Sequence, residues 1–321
     1  MRLSTSSSDP RRTQRYVILL LVAIVIFCVA LEVVTIRYFG RISHIRHRIE
    51  EEEQAALVTH STSGPVSVLL IGNSLLLNGV EMPMLIEEMN SNYRTTRFVL
   101  ESTGYIDWYY GMRKLFREGA RPQVVILMLS PSQFVSNRTA GDYFAQVLMD
   151  RRDLFRVASD TAADRTTTTN LLFDNLSTFY GSRNEIRNWL FAKVLSDADT
   201  LADRFRPPTA RPTSNKFLEI ADARMAAMRD LFTTYGSQLI VVTPPSPAAD
   251  NSDLLRAAGI TGGVPVLVPL EPGALDNANF KDGFHLTSEG AIKFTRALGP
   301  ALKDHLDRKL ALALASERTT R

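Results

Sequence analysis

Apolar and polar positions follow three different patterns along the chain. Residues 17–36 form an almost continuous apolar run, interrupted by Glu32 and Thr35, and a helix of about 20 apolar residues spans the core of a bilayer. Residues 37–62 are charged and include consecutive glutamates at 50–53, which predicts a helical stalk that serves as a solvated spacer. A stalk helix that binds a partner is the alternative. The remainder of the chain alternates short apolar runs with amphipathic segments.

Short runs of β-branched and apolar residues predict strands, and the amphipathic segments between them predict helices. Strands are predicted at 66–71, 97–101, 123–129, 238–243 and 264–270. Helices are predicted at 80–90, 106–118, 216–235, 250–258 and 288–306, the last with Thr287 or Ser288 as its N-cap. This alternation predicts an α/β domain with one doubly wound parallel sheet of five strands. The polar stretch at about 131–215 interrupts it, and we interpret that stretch as an insertion or cap over the functional edge of the sheet.

The predicted elements divide the chain into segments with different roles. They are an N-terminal segment at 1–15, a transmembrane anchor at 16–36, a stalk or linker at 37–64, the α/β domain at 65–307 and a fraying tail at 308–321. A cleaved signal peptide and a lipoprotein signal compete with the anchor. We favour the anchor because the apolar run is longer than a typical signal-peptide core, and because Phe27 before Cys28 is too bulky for lipid attachment.

Composition is ordinary for a globular protein and excludes several kinds of partner. The chain has 321 residues, of which 45% are hydrophobic and 22% charged, with a formal net charge of +3. Basic residues are scattered outside the flanks of the apolar run, so we expect no nucleic-acid partner. The one cysteine, Cys28, lies inside the apolar run, which excludes an intrachain disulfide and a cysteine-based metal site. Because no phosphate-binding glycine loop follows a strand and no histidine cluster exists, neither a cofactor nor a metal is expected.

Candidate chemistry follows the first and the last predicted strands of the sheet. Ser74 follows the first strand in the segment VSVLLIGNSLLL, and the carboxyl end of a strand is where α/β folds place their chemistry. A serine becomes a good nucleophile when a base takes its proton and a third group orients that base. His285 and Asp282 supply those groups in Asp282-Gly-Phe-His285-Leu286, just after the last strand. The other histidines lie in the stalk, in the linker or on the far turn of the last helix, and are discounted: His44, His47, His60 and His305.

These two segments resemble the first and last conserved blocks of the SGNH (GDSL-type) hydrolase superfamily. The resemblance covers roughly residues 66–306 without the middle insertion, and it implies a flavodoxin-like α/β/α sandwich. It also implies Ser74 as the nucleophile, His285 as the base and Asp282 as the partner of that base. The oxyanion hole would be formed by Ser74, by the backbone N–H of Gly104 in the second block, and by the residue at the third-block position, Ser132. Such donors stabilise the charge that develops in the transition state.

The third block departs from the family pattern. The family places Gly-x-Asn after the third strand, with the asparagine as an oxyanion donor, whereas this chain reads Ser130-Pro131-Ser132-Gln133. Ser132 is the positional counterpart, and Ser130, Gln133 and Asn137 are the substitutes within the same loop. A serine hydroxyl can donate a hydrogen bond, although the loss of one donor costs about 10²–10³ in rate.

The anchor, the insertion and the altered third block together are similar to membrane-tethered SGNH-like proteins that serve bacterial envelope and exopolysaccharide acylation. This narrower resemblance implies a serine hydrolase or O-acyltransferase that moves O-acetyl groups on a cell-surface or exported polysaccharide. A membrane-bound acyltransferase or polysaccharide synthase would be its partner. The alternatives are a catalytically impaired glycan-binding scaffold and an esterase of small esters or lipids. Aromatic residues between the blocks offer a sugar-stacking platform, against which core packing is favoured for Trp108 and Tyr109.

The same resemblance places the protein in the inner (cytoplasmic) membrane. Arginines lie on both sides of the apolar run, so the positive-inside rule does not orient it. Because a long domain translocates largely regardless of its charge, we expect a cytoplasmic N-terminus and a periplasmic catalytic domain.

Overall fold

The structure, a computed structural model, describes residues 10–39, 44–57, 64–139, 143–187 and 212–319. Its central element is one parallel five-stranded sheet in the order β2-β1-β3-β4-β5, which is the flavodoxin-like order. The strands are β1 (Val66–Gly72), β2 (Tyr93–Val99), β3 (Val124–Met128), β4 (Gln238–Val242) and β5 (Val266–Leu267). The predicted doubly wound sheet and the flavodoxin-like sandwich are both confirmed.

Helices lie between the strands in the chain, and others precede the first strand and follow the last one. They are α1 (Pro10–Val34), α2 (His44–Leu57), α3 (Ser74–Gly79), α4 (Met82–Met89), α5 (Tyr105–Arg117), α6 (Pro131–Val135), α7 (Leu154–Asp160), α8 (Arg165–Leu176), α9 (Thr178–Gly181), α10 (Ser214–Thr234), α11 (Ser252–Gly262) and α12 (Ser288–Thr319). A π-helical turn continues α1 from Thr35 to Phe39, and a second one runs from Phe144 to Leu148. The last helix passes position 306, where it was predicted to end, and includes most of the predicted tail.

Strand ends differ from the predictions where the side chains are polar or proline. β2 begins four positions before its predicted start at 97, because the outer residues Arg94 to Thr96 have no apolar run to mark them. β5 is two residues long, and prolines 265 and 269, which lack an N–H, flank it.

Two apolar layers hold the sheet between the helices. Val68 and Leu70 of β1 face the layer formed with α4 and α12, whereas Leu69 and Ile71 face the layer formed with α5, α10 and α11. Both faces are therefore covered, which explains why β1 and β3 read as continuous apolar runs instead of alternating ones.

Helix α2 packs onto the domain along the edge strand β2, so the prediction of a solvated spacer is wrong. Ile49 and Ala56 of α2 are buried in the same cluster as α5. Glu52 accepts a hydrogen bond from the backbone N–H of Val99 at 2.8 Å and another from Arg97 at 2.8 Å. An exposed edge strand invites pairing with another chain, and α2 covers this one. The two buried apolar positions, Ile49 and Ala56, are seven residues apart among charged ones, which is too sparse a pattern to predict packing.

Substitution of Ile49 by alanine is expected to destabilise the protein by about 2–4 kcal/mol, because it leaves a cavity between α2 and the sheet. Ile49 is 4% exposed, whereas Ile45 on the same helix is 45% exposed. Ile45→Ala is therefore the matched control, with an expected change below about 0.5 kcal/mol. Urea unfolding of the detergent-solubilised chain, followed by near-UV circular dichroism, measures both. Equal losses for the two variants would contradict the packing of α2.

The described part of the insertion packs beside α5 and α2. Phe144, Leu148, Leu154 and Val157 join the apolar cluster that contains α5. Gly111 permits the close approach, because a Cβ there would lie 2.8 Å from Leu148. The remainder of the predicted insertion, at 140–142 and 188–211, lies outside the described residues.

Candidate active site

Ser74 is the first residue of α3 and stands directly beyond the carboxyl end of β1. Asn73 caps α3: its side-chain oxygen accepts a hydrogen bond from Leu75 N at 3.0 Å, and its amide nitrogen donates to the carbonyl of Thr103 at 2.7 Å. Gly72 lies so close to β3 that a Cβ would stand 2.7 Å from the carbonyl oxygen of Met128. These contacts fix the turn that presents the half-buried Ser74 at the edge of the sheet.

A tight loop before α12 carries the side chains of Asp282 and His285. Gly283 has φ +77°, a left-handed conformation that favours glycine, and it folds the loop back on itself. Asp282 Oδ1 accepts hydrogen bonds from the backbone N–H of Phe284 at 3.0 Å and of His285 at 2.7 Å. The loop is therefore braced by its own aspartate. Thr287 closes it by capping α12, accepting a hydrogen bond from Gly290 N at 3.2 Å.

The structure brings Ser74, His285 and Asp282 into one hydrogen-bonded line. His285 Nδ1 lies 2.7 Å from Asp282 Oδ2, and His285 Nε2 lies 2.9 Å from Ser74 Oγ. Hydrogen bonds from the His285 side chain, and then from its backbone N–H, lower the pKa of Asp282 to about 2. The carboxylate is thus charged at neutral pH and accepts the Nδ1 proton, which leaves Nε2 free to accept the Ser74 hydroxyl proton. This is the arrangement that activates a serine nucleophile.

Two of the four candidate donors in the third-block loop line the same cavity as Leu75, Gly283 and Phe284, the chain neighbours of the triad residues. Ser130 and Ser132 line a cavity next to the triad, and their hydroxyl oxygens are 3.1 Å apart. Ser130 is also the N-cap of α6: its hydroxyl accepts a hydrogen bond from Gln133 N at 3.4 Å, and Gln133 Oε1 accepts one from Ser130 N at 3.0 Å. Asn137 accepts a hydrogen bond from the guanidinium of the buried Arg224. Gln133 and Asn137 therefore use their side-chain oxygens as acceptors, and neither residue lines that cavity.

Gly104 is the N-cap of α5, and its backbone N–H is already bonded. That N–H donates to Asp107 Oδ2 at 2.7 Å, and Asp107 is buried. The predicted oxyanion role of Gly104 stays a prediction, and it requires this hydrogen bond to open. A Cβ at Gly104 would lie 3.0 Å from the carbonyl oxygen of Gln133. The absence of a side chain therefore lets the second-block loop, with Gly104, pack against the third-block loop, with Gln133.

A cavity of about 380 Å³ adjoins the triad. Most of its lining is apolar or proline, and the polar residues beside the third-block serines are Ser246, Asp250 and Asn251. The other lining residues are Leu75, Pro131, Val135, Pro212, Phe217, Pro244, Pro245, Pro247, Ala248, Ala249, Gly283 and Phe284. Phe284 is 43% exposed, and its ring meets the His285 ring edge-on with centroids 5.2 Å apart. Sequence reasoning missed Phe284 and the proline-rich loop after β4. The position of both after strands of the parallel sheet was the signal that could have found them.

Among the residues that the structure describes, no group of three or more histidine, cysteine, aspartate or glutamate side chains could hold a metal ion.

The flavodoxin-like sheet, the serine after β1 and the Asp-x-x-His loop before α12 form the fold and site arrangement that the SGNH resemblance implies. By this sheet and these three side chains, the chain is an α/β protein with a Ser-His-Asp triad. No family model matches the chain, and no curated protein matches it.

Solved structures with a similar fold include TesA, at 10% identity and a TM-score of 0.37 over 74% of this chain and 98% of that chain. A catalytic mutant of Axe2, an acetylxylan esterase from Geobacillus stearothermophilus, matches at 9% identity and a TM-score of 0.37 over 74% of this chain and 94% of that chain. An inhibitor-bound aryl esterase of M. smegmatis matches at 11% identity and a TM-score of 0.35 over 74% of this chain and 98% of that chain.

Proposed function

We propose that this protein is a membrane-anchored SGNH-type serine enzyme that transfers O-acyl groups, in the first place O-acetyl groups, on a cell-surface or exported polysaccharide. The observation that carries the proposal is the unbroken line from Asp282 through His285 to Ser74 Oγ. A structural serine at a helix start has no need of an oriented histidine. A base held by a charged carboxylate is the requirement of nucleophilic catalysis.

The proposed reaction proceeds in two steps through an acyl-serine. His285 Nε2 takes the Ser74 proton as Oγ attacks the acyl carbonyl, and Asp282 stabilises the resulting imidazolium. The imidazolium then protonates the departing alkoxide, which leaves the acyl group on Ser74. In the second step His285 takes a proton from the acceptor hydroxyl, which attacks the acyl-serine and regenerates Ser74. The hydroxyls of Ser130 and Ser132 are the side-chain donors at hand for the oxyanion.

Trp108 is fully buried, which agrees with the core packing that the sequence favoured, whereas Tyr109 is half-buried. Two other aromatic residues between the blocks, Tyr110 and Phe134, are also fully buried and offer no stacking surface. Phe284 is the exposed aromatic ring beside His285, and it lines the cavity. We assign the sugar-stacking role to Phe284 instead.

Transfer to a sugar hydroxyl, with water as the weaker acceptor, is the preferred direction. A third block without asparagine holds the tetrahedral intermediate less well, and precise placement of the acceptor can compensate, since positioning is worth about 7–11 kcal/mol of barrier. Oligosaccharide acceptors are therefore expected to divert acetyl from water when the full chain in nanodiscs is given an activated acetyl ester. Mass spectrometry of acetylated oligosaccharide, beside released acetate, measures the partition, with neutral glucan and uronate oligomers as acceptors.

Two results would contradict this direction. Fast acetate release that no oligomer diverts would identify a simple esterase of small esters or lipids. Absence of any turnover, combined with oligomer binding, would identify an impaired glycan-binding scaffold. Ser74→Ala serves as the blank for both measurements.

The apolar N-terminal helix supports the membrane part of the proposal. Residues Arg11–Arg37 form a helix of 27 residues that is long and apolar enough to span a bilayer, and none of its apolar window is buried inside the protein. A signal sequence near the N-terminus has the same composition. We propose that it is a single-pass anchor in the inner membrane, which would keep the domain beside an emerging polysaccharide and its membrane-bound acyltransferase or synthase.

The catalytic domain is expected on the extracytoplasmic side of that membrane, since exported polysaccharide emerges there. Alkaline phosphatase fused to the C-terminus should then be active, because it folds only outside the cytoplasm. A fluorescent C-terminal green fluorescent protein beside an inactive phosphatase fusion would reverse the topology.

A further inference from the structure

Glu32 connects the apolar helix to the α/β domain. It lies inside the apolar segment, yet its carboxylate accepts hydrogen bonds from Ser177 Oγ at 2.7 Å, Thr178 N at 2.6 Å and Phe179 N at 3.1 Å. A carboxylate within a membrane span needs partners of this kind. The three donors belong to the junction between α8 and α9, so that junction is bound to the anchor helix.

The depth of Glu32 follows from helix geometry. A helix of 27 residues is about 40 Å long, whereas the hydrocarbon core is about 30 Å thick and the bilayer with its headgroups about 40–45 Å. Glu32 precedes Arg37 by about 7.5 Å along the axis. It therefore lies near the boundary between headgroups and hydrocarbon, and the residues that bond to it reach the same depth.

Apolar side chains next to this junction face away from the protein. Phe173 and Leu176, on the last turn of α8, are 47% and 49% exposed. Phe173 also contacts the ring of Tyr180, with centroids 5.6 Å apart. Aromatic and apolar side chains at headgroup depth are typical of membrane interfaces. We call Phe173 and Leu176 the α8 patch.

The opposite edge of the sheet provides a contrast. α2 lies along β2 and bonds through Arg46 to Ser182, just after α9, so the α8 patch belongs to the β2 side of the domain. Ile260 is 81% exposed on α11, a helix that contacts β5 at the other end of the strand order.

We propose that the α8 patch rests in the lipid headgroup layer and that Glu32 holds it there, so that the domain has a fixed orientation on the bilayer. This inference rests on the proposed anchor. The lipid surface is the occupant because the patch is continuous with the contact that ties α9 to the membrane-spanning helix. Phe173 and Leu176 then bury their exposed surface in lipid without a protein partner.

Spin-label accessibility in nanodiscs tests the inference with the full chain. The native Cys28, in the middle of the apolar helix, is labelled first, and high oxygen with low nickel-chelate accessibility is expected there. In a Cys28→Ser background, labels at Phe173→Cys and Leu176→Cys are expected to give interfacial lipid values. The matched control, Ile260→Cys, is expected to give aqueous values. Glu32→Ala should move the two patch labels towards the aqueous values.

The outcomes separate the inference from the proposed anchor. A lipid value at Cys28 with aqueous values at both patch positions would overturn the inference and leave the anchor in place. An aqueous value at Cys28 would refute the anchor itself, and the inference would fall with it. Patch labels that remain in lipid after Glu32→Ala would show that Glu32 does not hold the patch.

Discussion

Replacement of Ser74 by alanine is expected to lower kcat for an activated acetyl ester by about 10⁴-fold or more, because no other group can form the acyl intermediate. Ser74 Oγ contributes one hydrogen bond, to His285, and Asn73 supplies the cap of α3. The variant should therefore fold normally. Stopped-flow or steady-state release of nitrophenol measures the rate, and circular dichroism measures the fold.

The control for that experiment is Ser159→Ala, a serine exposed on α7 far along the chain from the site. It should retain the wild-type rate. A Ser74→Ala protein that is folded and as active as this control would show that the turnover does not pass through Ser74.

Replacement of Asp282 by asparagine is expected to lower kcat by about 10³–10⁴-fold, since it presents the wrong hydrogen-bonding group to His285. The asparagine oxygen can still accept the backbone N–H groups of Phe284 and His285 that Asp282 Oδ1 accepts. Its amide would then face Nδ1 and donate to it, which places the histidine proton on Nε2, towards Ser74. The base would be lost while the loop keeps its shape.

The charge of Asp282 also determines a pH dependence. Hydrogen bonds that His285 donates to Asp282 lower the pKa of Asp282 to about 2, so the carboxylate keeps its charge at every pH above that value. Loss of activity at mildly acidic pH would therefore not come from protonation of Asp282.

The matched control for Asp282→Asn is Asp253→Asn, an exposed aspartate on α11 that pairs with Arg256. A pH–rate profile of kcat/KM, recorded for wild type and both variants, makes the comparison. Equal profiles for all three proteins would remove Asp282 from the mechanism.

The sheet and the two segments of the candidate site could be predicted because their signals are local. β1 and β3 are continuous apolar runs, which is the pattern of strands covered on both faces, and Ser74 follows the first of them directly. The loop with Asp282 and His285 carries its glycine at the left-handed position. Because strands and helices alternate along the chain, the strands are parallel, and the Ser74 segment and the Asp282–His285 loop come to the same edge of the sheet.

The features that could not be predicted depend on contacts between distant segments. Ile49 and Ala56 are buried, but the many charged residues of α2 obscure this pattern in the sequence. No local signal shows that Glu52 accepts a hydrogen bond from the backbone N–H of Val99 on the edge strand. In the sequence, Glu32 is a charged residue that interrupts an apolar run, and its hydrogen-bond partners lie about 145 positions later in the chain. Hydrogen bonds between residues so distant in sequence contribute to the packing of these segments, but they produce no periodic pattern from which the packing could be predicted.

The oxyanion hole is another feature that sequence position alone could not determine. Gly104 matches the second block in sequence, but Asp107, three residues later, is placed to take its N–H. Ser130 and Ser132 line the cavity, whereas Gln133 Oε1 accepts from Ser130 N and Asn137 Oδ1 accepts from Arg224. The identity of the donors depends on how neighbouring side chains are occupied.

An acyl group bound covalently to Ser74 is the direct consequence of the proposed chemistry. The full chain is incubated with an activated acetyl ester and quenched in acid, and the adduct is located by peptide mass spectrometry, with Ser74→Ala and Ser159→Ala proteins in parallel. The triad predicts acetyl on Ser74 in wild type and in Ser159→Ala, and no acetyl on the same peptide in Ser74→Ala. Turnover of the ester by wild type with no acyl group on Ser74, or with equal labelling of the Ser74→Ala peptide, would contradict an acyl-serine intermediate.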